Sequence, residues 1–218
     1  MASLVFRYGV MGSSKSANEL MVWFNYTDKG QKCLLVKPST DSVGGLTISS
    51  RIGLEQPCIS LERLVTEFLV YRDNRICGEI FKTRWDCIIV DEVQFANKEQ
   101  IDVLAEIVDT LNIPVLAYGL RTDFKGVSFS GSRRLLEIAD KIEEVKMVCW
   151  CGRKATFNAR ADEDGKIIRA GEQVVLKDGS GAEGATRYLS VCRKHYNQGV
   201  LENPQGSVEN VALARLEL

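Results

Sequence analysis

The chain has 218 residues, 45 % of them hydrophobic, and a formal net charge of −1. That suits one substantial domain plus a small second module and excludes a largely disordered chain. The near-neutral charge gives no electrostatic case for binding nucleic acid or a membrane surface, and no segment approaches the roughly 20 apolar residues that span a bilayer. Seven cysteines, an odd count without disulfide-scaffold spacing, and an N-terminus without signal-peptide layout lead to the expectation of a reduced, cytoplasmic protein.

Residues 1–145 alternate short apolar runs with helix-period stretches, which predicts a parallel sheet covered by helices. The first strand, Leu4–Arg7, runs into Gly9-Val10-Met11-Gly12-Ser13-Ser14-Lys15-Ser16 ahead of a helix-like stretch. This is a Walker A loop, G-x-x-x-x-G-K-[ST], except that Ser14 occupies the place of the second glycine. Backbone N–H groups of such a loop, at a helix N-terminus, point at the β- and γ-phosphates of a nucleotide. Lys15 would add a positive charge there and Ser16 a hydroxyl ligand for Mg²⁺, with Gly9, Met11, Gly12, Ser13 and Ser14 forming the cradle. The same residues also read as an ordinary strand–turn–helix connection. If the backbone at Ser14 must be left-handed, the missing glycine costs on the order of 1–2 kcal/mol.

Cys33–Val36 is the second predicted strand. Leu61, Leu64, Val65, Phe68 and Leu69 fall on one helix face. Strand Cys87–Val90 then ends in Asp91-Glu92, where a parallel sheet binds its ligands. Asp91 fits the carboxylate that holds Mg²⁺, leaving Glu92 as a general base toward an attacking hydroxyl. An acidic turn without chemistry is the alternative. A helix carrying Ile101, Leu104, Ala105, Val108 and Leu111 precedes a strand at Pro114–Tyr118, and another follows Gly131 with Leu135, Leu136, Ile138 and Ala139.

After about Val145 short β-like runs (Lys146–Trp150, Ala155–Ala159, Gln173–Leu176, Tyr188–Val191) alternate with turns such as Asp164-Gly165 and Asp178-Gly179. Cys149, Cys151, Cys192 and His195 supply three thiolates and the chain's only imidazole, a tetrahedral zinc set. The first pair is spaced more tightly than usual and requires a sharp turn at Gly152. A module of this size needs such a staple, and four filled positions make the site structural. Cys33, Cys58, Cys77 and Cys87 read as small hydrophobes.

These motifs, in this order, resemble the zinc-containing (type II, cytosolic-like) class of thymidine kinases, over nearly the whole chain to about Tyr196. The resemblance rests on the G-x-M-x-S-x-K-S loop, Lys37 and Asp41, Ser49-Ser50-Arg51, Asp91-Glu92-Val93-Gln94-Phe95, Tyr118-Gly119-Leu120-Arg121-Thr122-Asp123-Phe124, and the C-x-C-G-R-K-A and C-R-K-H zinc pairs. It implies a P-loop NTPase-type parallel sheet flanked by helices over 1–145, a zinc-stapled lasso or lid over 146–200, and a tail over 201–218. It further implies that ATP·Mg²⁺ phosphorylates the 5′-hydroxyl of thymidine, with Glu92 as base and Gln94 among the phosphate-side residues. Met11, Phe95, Leu120, Phe124, Phe129 and Tyr188 match positions around the nucleoside, although each aromatic also reads as a core or strand residue. A homotetramer inhibited by dTTP is implied in the same way.

Two departures from the family pattern fall on the phosphate side: Ser14, and Val43 where the family usually has arginine. Lost phosphate-side guanidinium groups can be worth about 10³ or more in rate. The expectations are therefore an active thymidine kinase or, alternatively, a nucleoside- or dTTP-binding homologue with weakened transfer. A GTPase switch lacks its N-K-x-D motif, and a zinc-ribbon nucleic-acid binder lacks a basic face.

Overall fold

The computed structural model describes residues 1–39, 46–74, 78–173 and 186–204. In chain order, β1 (Leu4–Gly9) leads through a turn into α1 (Lys15–Asp28) and β2 (Cys33–Lys37). A short hairpin, β3 (Thr47–Ser49) with β4 (Glu55–Pro57), precedes β5 (Ile59–Ser60) and α2 (Leu61–Asn74). Then come β6 (Cys87–Val90), α3 (Lys98–Leu111), β7 (Val115–Leu120), α4 (Ser130–Ile138) and β8 (Lys141–Glu144). A second group consists of β9 (Phe157–Ala161), β10 (Ile167–Ile168), β11 (Arg187–Val191) and α5 (Arg193–Gln198).

Six strands form one sheet in the order β5-β2-β6-β7-β1-β8, and every pairing in it is parallel. The apolar runs explain the centre of this sheet, because β2 and β6 are buried along their whole length. Alternate residues feed two cores. Leu34, Val36, Ile88 and Val90 pack with Leu61, Leu64 and Phe68 of α2 and Ile101, Leu104 and Ile107 of α3. Cys33, Leu35, Cys87 and Ile89 pack on the other side with Leu20 of α1 and Ile48 of β3. Helix α3 starts with a capping box between Asn97 and Gln100 and ends at Asn112, in a left-handed conformation two residues before Pro114.

The four expected strands of this sheet are all present, and β1 and β7 extend further toward their carboxyl ends. Strand β8 gave no apolar signal, since three of its four residues are exposed at the sheet edge. What makes it a strand is parallel pairing with β1, from Val5 opposite Lys141 to Tyr8 opposite Glu144.

Strands β10, β9 and β11 form an antiparallel sheet. The run expected over Ala155–Ala159 is shifted to Phe157–Ala161, and the Asp164-Gly165 turn is present with Gly165 at φ +77°. Lys146–Trp150 is not a strand; the tight turn at Cys149–Gly152 leaves a single bridge between Val148 and Lys154. Most of the expected Gln173–Leu176 strand, the Asp178-Gly179 turn, Asp41, Val43, Cys77 and positions 205–218 lie outside the described residues. The core beneath the small sheet includes Val10, from the turn after β1, beside Ala159, Val191, Cys192 and Tyr196. This turn therefore joins the two sheets. Among the described residues no helix is long and apolar enough to cross a membrane.

Candidate active site

Parallel strands end on one edge, so β1, β6 and β7 deliver the loop after Gly9, Asp91-Glu92 and Leu120 to a common side. The loop after β1 turns tightly. A Cβ at Gly9 would lie 2.7 Å from the Val145 carbonyl oxygen, so only glycine fits. Gly12 is left-handed (φ +73°), and so is Ser14 (φ 62°, ψ 28°), which caps α1 without a side-chain hydrogen bond. The strain expected from the missing glycine is thus present. The first N–H groups of α1 open toward the loop. Lys15 is buried and its Nζ donates to the Val10 carbonyl at 3.0 Å, closing the loop on itself. Burial pushes its pKa down, opposed by the nearby carboxylates of Glu92, Asp91 and Glu19.

Asp91 and Glu92 meet Lys15 from the end of β6. The Asp91 carboxylate accepts from the Glu92 N–H at 2.7 Å, turning the chain so that Glu92 is left-handed (φ 47°). A non-glycine residue in that region is uncommon and frequently marks a functional position. Gln94 donates from Nε2 to the Glu92 carboxylate and accepts at Oε1 from the Leu120 N–H at 3.0 Å. It thus ties Glu92 to β7, whereas the motif had grouped it with the phosphates. Gly119 makes room for it, since a Cβ there would lie 2.6 Å from Gln94 Oε1.

Two residues missed by sequence reasoning complete the loop. Asn158 Oδ1 accepts from the Met11 N–H at 2.8 Å, its Nδ2 donates to the Thr122 carbonyl at 3.0 Å, and Ser190 Oγ donates to the Met11 carbonyl at 2.6 Å. Both ends of the Met11 residue are therefore held by the small sheet, one from β9 and one from β11. Arg51 was quoted only as part of a motif, yet its Nη1 lies 3.5 Å from where a Gly12 Cβ would stand.

The nucleoside-side candidates are placed as follows. Phe95, the last residue of the short helical turn Val93–Phe95 that follows Glu92, forms an edge-to-face pair with Phe129 at 5.9 Å. Phe124 is a core aromatic, 1 % exposed, beneath the guanidinium of Arg160 at 5.5 Å. Tyr188 is 38 % exposed and shares a face of β11 with Ser190, the face turned to Met11. Tyr118 is structural: its hydroxyl donates to Asn18 of α1 at 3.0 Å, and burial pushes its pKa up to about 12. Asp123 caps its own turn by accepting from the Lys125 and Val127 N–H groups.

The second cluster is a set of residues that could hold a metal ion. Ligand atoms of Cys149, Cys151, Cys192 and His195 all lie within 4.8 Å of one another. Cys149 Sγ and Cys192 Sγ stand 3.4 and 3.5 Å from His195 Nδ1. Tetrahedral zinc with these ligands has edges of about 3.5–3.8 Å, so the donor set fits the ion. The required sharp turn is there: Gly152 has φ +80°, and its N–H donates to the Cys149 carbonyl at 2.8 Å. The His195 backbone N–H holds the Cys192 thiol below its usual pKa, and Trp150 stacks on the imidazole at 4.2 Å.

The family model described as "Thymidine kinase" matches residues 2–196. The chain belongs to the thymidine kinase family. It is 43 % identical over 203 residues to a thymidine kinase of Francisella tularensis, covering 93 % of this chain and all of the relative. It is 43 % identical over 197 residues to that of Zymomonas mobilis, with 90 and 96 % of the two chains covered. The thymidine kinase of phage T4 is 42 % identical over 199 residues, with 91 and 97 % covered.

In this family member two substitutions test the loop. Ser14→Gly relieves the left-handed serine and is expected to raise stability by roughly 1 kcal/mol in urea unfolding; a lower midpoint would show that the serine side chain is needed. Asn158→Ala leaves the Met11 N–H and Thr122 carbonyl without their buried partner. Its expected cost is about 1–3 kcal/mol by the same measurement.

Proposed function

We propose that this protein transfers the γ-phosphoryl group of Mg²⁺-bound ATP to the 5′-hydroxyl of thymidine, giving thymidine 5′-monophosphate and ADP. The observation that carries this reading is the convergence of Lys15, Asp91 and Glu92 at the carboxyl edge of the sheet, in a chain about 42 % identical to proteins named thymidine kinase. In this reading the N-terminal amides of α1 and Lys15 hold the phosphates, with Ser16 and Asp91 as the metal-side groups. The buried Glu19 oxygens, which meet no donor among the described residues, fit a site built for a cation. When bound, Mg²⁺ neutralises charge on the β- and γ-phosphate oxygens.

Glu92, fixed by Gln94, accepts the proton of the 5′-hydroxyl as its oxygen bonds to the γ-phosphorus and the bond to the ADP oxygen breaks. Arg51 reaches the phosphates from the Gly12 side and supplies a guanidinium there. Met11, Phe95, Leu120, Phe129 and Tyr188 shape the thymine pocket, and the buried Phe124 contributes only as core packing. The four-residue metal set holds structural Zn²⁺, which ties down both ends of the lid. The resemblance to the zinc-containing class extends the proposal to a homotetramer inhibited by dTTP.

The test is phosphate transfer from radiolabelled ATP·Mg²⁺ to thymidine. Glu92→Gln is expected to lose about 10²–10⁴-fold in kcat with its melting curve retained. A folded wild type that binds thymidine without phosphorylating it would overturn the proposal in favour of a binding homologue. Arg51→Met should lower kcat about a hundredfold at unchanged stability. Elemental analysis should find one zinc per chain, and Cys192→Ser should lose both the metal and several kcal/mol of stability.

A further inference from the structure

Glu19 is a titratable group to which the phosphoryl-transfer mechanism above assigns no step. It is 0 % exposed, and neither carboxylate oxygen meets a hydrogen-bond donor among the described residues. The polar side chain within hydrogen-bonding reach is the carboxyl of Asp91, another acceptor. A buried carboxylate without a compensating donor or cation is costly, and a pair of them more so. The nearest positive charge, Lys15, already donates to the Val10 carbonyl.

The position on α1 explains where this carboxylate is directed. Glu19 lies three residues after Ser16 and four after Lys15, on the same helix face. Helical side chains lean toward the N-terminus, so a glutamate at this place reaches back along the turn that carries Ser16, toward the loop. Asp91 approaches the same region from the end of β6. Asp91 and Glu19 thus meet beside the phosphate loop, with Ser16 one helical turn before Glu19 on the same face.

We propose that Glu19 is a metal-positioning residue: together with Asp91 it anchors the water shell of the Mg²⁺ that accompanies the phosphate donor. This deepens, and rests on, the reading of the loop as a nucleotide site. Mg²⁺ keeps several of its waters when protein-bound, and an additional carboxylate in reach of that shell orients them. Groups of this kind typically contribute 10–100-fold to metal affinity.

The probe is Mn²⁺, followed by the decrease of its free electron-paramagnetic-resonance signal on addition to protein and ADP. Calorimetric binding of ADP in EDTA is measured beside it. Glu19→Gln, whose amide can donate to Asp91, is expected to weaken Mn²⁺ binding at least tenfold while ADP binding in EDTA stays within about twofold. Superimposable Mn²⁺ curves for wild type and variant would overturn the inference and leave the phosphate site standing. Wild type that binds ADP no more tightly with Mn²⁺ than in EDTA would overturn both. If Glu19→Gln does not fold, Glu19→Asp serves: weaker Mn²⁺ binding with unchanged ADP binding supports the role, and unchanged Mn²⁺ binding overturns it.

Discussion

The buried Lys15 organises the edge of the large sheet. Lys15 closes the loop after β1 through the Val10 carbonyl and stands among the carboxylates of Asp91, Glu92 and Glu19. Lys15, with the Arg51 guanidinium nearby, faces three acidic side chains, and burial together with the neighbouring Asp91 pushes the Glu19 pKa well up. The fold holds these groups together regardless, because β1 and β6 are locked in a parallel sheet with continuous apolar cores on both faces. Two left-handed residues, Ser14 and Glu92, sit where the chain leaves those strands. Each costs on the order of 1–2 kcal/mol, and each is over-determined by its neighbours.

The same loop is the joint between the two sheets. Val10 is part of the core under the small sheet, and the Met11 backbone is held by Asn158 and Ser190. The small sheet is in turn braced next to these contacts, where Tyr196 donates to the Phe124 carbonyl at 2.7 Å and the Cys149–His195 cluster gathers two distant stretches of chain. The core under β9 and β11 is small and built largely of alanine, valine and cysteine, so a metal held by this cluster would supply a staple that the core lacks.

The parts legible in the sequence were those written as local patterns. Apolar runs gave the four strands that carry the large sheet, and the glycine-rich loop, the Asp91-Glu92 pair and each half of the Cys/His set are contiguous or nearly so. What stayed hidden depends on long-range partners. Asn158 and Ser190 reach Met11 across 147 and 179 residues, and nothing beside them signals that. Glu19 sits in an amphipathic helix, where a glutamate ordinarily reads as surface. Gln94 was recognised through its motif, but only the bond to Leu120 shows that it orients Glu92. Strand β8 was missed because edge pairing, not apolarity, makes it a strand.

The central claim is that this charged edge is completed by a metal-bound triphosphate. The most direct measurement is the thermal unfolding of the wild-type protein with ATP·Mg²⁺, with ATP in EDTA, and alone. Saturation to about 100 times the dissociation constant should stabilise the fold by roughly 2.7 kcal/mol, a shift of about 5–10 °C for a chain of this size. That shift should shrink markedly when the metal is chelated. An unchanged melting curve with ATP·Mg²⁺, or an equal shift in EDTA, would contradict the account.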